Sequence, residues 1–130
     1  MRARVSEAEL TILEVLWAKN PLSATEIYEH LPATAVSNAK TARALLDRLL
    51  RKKYVKRHKV HGVWVFVAAV ERDEYVLSES KSFLKRFFDS DAVPLVAHLV
   101  NNEVLSERDI ARLRAILDGE QSNAKESSHD

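Results

Sequence analysis

The chain has 130 residues, with 20 Lys and Arg against 19 Asp and Glu, 46% hydrophobic residues, no Cys, two Gly and three Pro. A chain of this length encloses one ordinary core, or a small core with an extension, and the absence of cysteine excludes disulfides, thiolate metal sites and cysteine nucleophiles and suits a reducing cytoplasm, the expected location. No run of ~18 apolar residues and no apolar signal core is present, so no membrane association is expected, and the scarcity of turn residues favours helices over a many-stranded sandwich.

Three helix starts carry the same signature. Ser6 with Glu9, Ser23 with Glu26 and Ser106 with Asp109 each fit a capping box, in which the Ser hydroxyl accepts from the amide three residues on and the acid there reaches back to the Ser amide. The first predicted helix covers 7–19, with Leu10, Leu13, Val15, Leu16 and Trp17 apolar, and Asn20 and Pro21 end it. The second covers 24–31, with Ile27, Tyr28 and Leu31 inward and Pro32 as its stop. A third begins behind Ser37 or Asn38, either of which can cap, and runs to about residue 53. Its apolar residues Ala42, Leu45, Leu46, Leu49 and Leu50 recur with helical spacing, and the intervening positions are largely cationic.

The period then changes. Residues 54–60 and 63–67 are rich in β-formers and flank His61 and Gly62, so a hairpin with a basic tip is expected. Further helices fit 74–89, 92–100 (Pro94 being tolerated in a first turn) and 107–118, with Gly119 as a stop. The polar stretch 120–130 reads as a disordered tail. These elements divide the chain into a head over 1–70 and a helical region over 71–119.

The net charge of +1 conceals a sharp segregation. Residues 36–62 hold nine basic side chains and one acid, Asp47, a local charge of +8. A clustered basic surface on an otherwise neutral domain is the electrostatic footprint of a nucleic-acid binder. Two helices, a third with a cationic face and then a basic hairpin form the layout of a winged helix-turn-helix, so the fold class is mainly α, a head of three helices and a hairpin wing followed by further helices. In that layout the third helix occupies the major groove with its N-terminal residues nearest the bases. Those residues are Ser37, Asn38, Lys40, Thr41, Arg43 and Ala44, chemically suited to base edges, whereas Arg48, Arg51 and Lys52 suit phosphates and Lys59 and His61 at the wing suit the adjacent backbone.

At this point the residues resemble a family. SEAE at 6–9 followed by Leu16 and Trp17, PLSATEI at 21–27, KTARALLDRL at 40–49 and SKSFLKRF at 80–87 are similar, in order and spacing, to the penicillinase-repressor family (BlaI/MecI/CopY type) of winged-helix repressors in bacterial antibiotic-resistance operons. The resemblance implies a homodimer, joined through its C-terminal helices, on a palindromic double-stranded DNA operator. The residues agree: Phe83, Leu84, Phe87, Phe88, Leu95, Val96, Leu99, Val100, Leu113, Ile116 and Leu117 offer more apolar surface than three short helices can bury alone. It also implies a sensor protease as partner, cutting in the fifth helix, where the aligned pair is His98 and Leu99 in place of Asn and Phe. One residue more than the family's usual Ser-Pro-Lys stands between Ser37 and Lys40, and the cysteines through which the copper branch senses metal are missing.

No cofactor is expected. His58 and His61, three apart on a hairpin, converge poorly on a metal; His30, His98 and His129 read as surface or helix-end residues, and Trp17 and Trp64 as core. No nucleophile elbow, phosphate loop or carboxylate pair occurs, so an enzyme is not expected. The competing reading is a winged-helix protein–protein interaction module without sequence-specific DNA binding, since a fold alone does not set function.

Overall fold

The computed structural model describes residues 3–120. The described elements are α1 (Glu7–Ala18), β1 (Leu22–Ser23), α2 (Ala24–His30), α3 (Ala39–Arg51), β2 (Val55–Val60), β3 (Val63–Ala68), α4 (Arg72–Phe88), α5 (Ala92–Asn101), α6 (Glu107–Ala115) and a π-helical turn, Ile116–Glu120. The expected mainly-α winged-helix architecture is found. The chain forms two units, the first ending at Ser78 and the second starting at Glu79.

All three capping boxes are made. Ser6, Ser23 and Ser106 each accept from the amide of Glu9, Glu26 and Asp109, and each acid accepts from the amide of its Ser. Hydrogen bonds from the Ser23 and Ser106 amides hold the Glu26 and Asp109 carboxyls below their ordinary range.

In the first unit the core is drawn from every element of the head. Ile12, Leu13 and Leu16 of α1, Ile27 of α2, Ala42, Leu45, Leu46 and Leu49 of α3 and Phe66 of β3 are buried together, and Phe66 has no exposed surface. Ile12, absent from the expected apolar face of α1, is as deeply buried as its neighbours, while Leu10, Val15 and Trp17 are only half-buried.

The sheet has the order β1-β3-β2, all antiparallel. β1, two residues long and without a sequence signal, sets Leu22 opposite Phe66 and so closes the hairpin onto the helices. The hairpin turn is as expected: Val60 pairs with Val63, and His61 and Gly62 both take positive φ, 49° and 80°, the conformation of a two-residue turn matched to strand twist.

At the end of α3 the Lys53 amide donates to the Leu50 carbonyl and the Tyr54 amide to the Leu49 carbonyl, with Lys53 at φ 69°. This is a Schellman cap with lysine where glycine is usual. The first unit also extends past residue 70. Trp17 Nε1 donates to the Val70 carbonyl at 2.9 Å, and Tyr75 of α4 packs on Trp17 and, edge-on, on Tyr54, with ring centroids 5.7 and 5.9 Å apart. Aromatic packing therefore assigns the first turns of α4 to the head.

In the second unit Phe83 packs on Phe87 and Phe88, centroids 5.1 and 6.0 Å apart. Asp91 caps α5, accepting from the Val93 amide. No residue of α4, α5 or α6 is buried. Gly119 does not stop the last helix; it lies inside the π-helical turn. Of the tail expected over 120–130, residues 121–130 lie outside the described residues.

Candidate nucleic-acid interface

The candidate reading edge lies at the start of α3. Asn38, not Ser37, is the cap: its Oδ1 accepts from the Thr41 amide at 2.8 Å, and its Nδ2 donates to Ser37 Oγ at 3.4 Å. Both ends of the Asn38 amide are thus engaged in starting the helix. Lys40 and Thr41 fall in the first helical turn, which removes the one-residue ambiguity left by the longer lead-in.

Successive residues of a helix turn by about 100°. Ala42, Leu45, Leu46 and Leu49 therefore share the buried side, and the line Lys40, Ala44, Asp47, Arg51 runs along the opposite one, flanked by Arg43 on one edge and by Thr41 and Arg48 on the other. Lys40, Thr41, Arg43, Ala44, Arg48 and Arg51 are all exposed. Arg43 Nε lies 3.5 Å from Asp47 Oδ1.

Lys52 is placed differently from the expected phosphate contact. Its Nζ is 2.7 and 3.0 Å from the two Glu9 carboxylate oxygens and 2.9 Å from the Arg4 carbonyl. Glu9 is 1% exposed, so Lys52 neutralises a buried acid rather than facing outward. Burial pushes the Glu9 carboxyl up, but hydrogen bonds from Lys52 and Ser6 and the Lys52 charge outweigh it and hold the group below its ordinary range.

On the wing, Lys56, Arg57, His58, Lys59 and His61 are exposed. The register pairs Arg57 with Phe66 and Lys59 with Trp64, which puts these four side chains on one face of the hairpin. Phe66 at the base is core. Trp64 nearer the tip is not, contrary to the expectation: it is 38% exposed, with the Arg57 guanidinium 4.2 Å and the Lys59 ammonium 5.1 Å from its ring centroid, both within cation–π range. The hairpin outruns the helices beneath it, so its distal aromatic meets cations in place of a core. Arg57 and Trp64 lie outside the expected contact set, and the alternation of Arg57 and Lys59 opposite Trp64 is the signal that could have joined them to Lys59.

In the second unit Phe83, Phe87, Val96, Val100, Ile116 and Leu117 are exposed, and Leu84, Phe88, Leu95, Leu99 and Leu113 are half-buried. None of these apolar side chains is buried. His98 is exposed and Leu99 half-buried within α5, and Asn102 Nδ2 donates to the His98 carbonyl at 2.8 Å. Among the described residues no group of three or more His, Asp or Glu is arranged to hold a metal ion, and no helix is long and apolar enough to cross a membrane.

Residues 5–119 match the Penicillinase repressor family. The chain belongs to that family. It is 29% identical over 123 residues to the penicillinase repressor of Bacillus licheniformis, covering 95% of this chain and 96% of that one. It is also 29% identical over 116 residues to the penicillinase repressor of Staphylococcus aureus, covering 89% and 92%. To the methicillin resistance regulatory protein MecI of Mammaliicoccus sciuri it is 30% identical over 113 residues, covering 87% and 92%. The family consists of transcriptional repressors and not of enzymes, so the cationic face of α3 and the wing belong to a transcriptional repressor.

Proposed function

We propose that the protein represses transcription by binding, as a homodimer, to a palindromic double-stranded DNA operator, with α3 of each copy in the major groove and the β2–β3 wing on the adjacent backbone. The observation that carries this reading is the two-sidedness of α3: one side is buried in the core, and the other presents Lys40, Thr41, Arg43, Ala44, Arg48 and Arg51 to solvent. Thr41, Arg43 and Ala44, with Lys40, have the chemistry to meet base edges, and Arg48 and Arg51 that to meet phosphates. Ser37 and His61 flank them at the lead-in and the wing turn.

The apolar residues of α4–α6, led by Phe83, Phe87, Val96, Val100, Ile116 and Leu117, form the dimer contact, and a two-fold dimer matches a two-fold operator. The names of the relatives, a penicillinase repressor and a methicillin resistance regulatory protein, support a target among antibiotic-resistance genes. Release by a sensor protease between His98 and Leu99 requires local unwinding, because that bond lies inside α5.

Selection of bound duplexes from a random pool, followed by sedimentation of the complex, tests the reading. It calls for one inverted repeat and two chains per duplex. A pool with no enriched sequence, together with capture of another protein by the α4–α6 surface, would favour the interaction-module alternative.

A further inference from the structure

Asp47 is the single acid of segment 36–62, and it stands on the centre line of the exposed side of α3, beside Ala44. Its Oδ1 is 3.5 Å from Arg43 Nε, with the two side chains 45% and 48% exposed. An acid is unfavourable there on three counts. Asp is a poor residue for a helix interior. A base placed four residues before an acid is the weaker orientation of such a pair. A carboxylate on the side where phosphates gather opposes the attraction that the neighbouring cations supply.

The pair does supply geometry. An Arg side chain has many rotamers, and in solution it meets any phosphate as readily as a base. With Nε beside the Asp47 carboxylate, the two terminal amino groups of Arg43 remain as a planar fork for a second partner. That fork matches O6 and N7 of guanine in the major groove. A carboxylate beside it also repels the phosphate oxygens that a misplaced duplex would bring.

We infer that Asp47 is a specificity-determining positioning residue, holding Arg43 for a guanine edge and penalising DNA that does not present one. The inference rests on the proposed reading of α3.

The test measures the affinity of the full chain for the selected duplex and for a random duplex of equal length, over a series of salt concentrations. Asp47→Ala is expected to bind random DNA more tightly, with a log–log salt slope steeper by about one. Its ratio of specific to random affinity is expected to fall about tenfold. Asp47→Glu, still able to reach Arg43, restores the ratio. In an Arg43→Ala background, Asp47→Ala lowers the ratio no further. A thermal melt of each variant separates these effects from loss of fold. An unchanged ratio in Asp47→Ala, or an equal loss with and without Arg43, overturns the proposal. A wild-type chain with no preference overturns the reading of α3 itself.

Discussion

Lys52 Nζ lies 2.7 Å from Glu9 Oε1, joining the end of α3 to the first turn of α1. The same carboxylate accepts from the Ser6 amide at 2.8 Å, so one buried acid completes a helix cap and holds α3 against the body of the head. Glu9→Gln leaves the Lys52 ammonium half-buried without its counter-ion, and removing one partner of a buried pair is costly. The expected loss is on the order of 2–4 kcal/mol, read by denaturant or thermal unfolding. The pH dependence follows from the lowered carboxyl. A carboxylate whose folded pKa is depressed contributes stability that is fully present above its ordinary value of 4.5 and is lost as pH falls through the lower folded value. Glu26 and Asp109 act in the same direction. Wild-type stability should fall below about pH 4.5 more steeply than that of Glu9→Gln. Equal slopes would show that the Glu9 carboxyl is not depressed.

The left-handed Lys53 makes an opposite prediction. Its φ of 69° is strained for any residue with a Cβ, and glycine removes that strain while adding freedom to the unfolded chain. Lys53→Gly should raise stability by up to about 1 kcal/mol, seen as a higher Tm.

Phe66 and Trp64 lie on one face of β3, two residues apart, yet their environments differ. Phe66→Ala opens a cavity at the centre of the head and should cost about 3–5 kcal/mol. Trp64→Ala removes an aromatic held by Arg57 and Lys59 outside the core, and should cost less than about 1 kcal/mol of stability. It should nonetheless weaken DNA binding, because Arg57 and Lys59 lose the surface that orders them. Comparable unfolding midpoints for the two variants would contradict this placement of the wing.

Arg51 lies at the distal end of the exposed side of α3, where the proposed docking gives it phosphates rather than bases. Arg51→Ala should weaken binding to specific and random duplexes by the same factor and make the log–log salt slope shallower by about one. A loss confined to the specific duplex would make Arg51 a base reader instead.

Much of this architecture was legible because local and tertiary demands agree. Ser6, Ser23 and Ser106 cap as their spacing requires, and the helical period of Ala42, Leu45, Leu46 and Leu49 matches the buried side of α3. What escaped depends on partners distant in the chain. β1 exists only because Leu22 meets Phe66 across the sheet. Lys52 reads like its cationic neighbours until Glu9, 43 residues earlier, is brought beside it. Trp64 carries the composition of core, and only the reach of the hairpin past the helices decides otherwise. The limit of the head escaped for the same reason: Tyr75 joins it by packing on Trp17 and Tyr54, contacts no local pattern encodes. The cap built on Lys53 lacks the glycine by which such a stop is recognised.

The central claim is that α3 reads bases, and Arg43→Ala tests it most directly by the affinity of the full chain for the selected duplex and for a random one at fixed salt. The account predicts a loss of about 1–3 kcal/mol on the selected duplex and a much smaller loss on the random one. Equal loss on both would contradict it, leaving α3 a site of charge attraction alone.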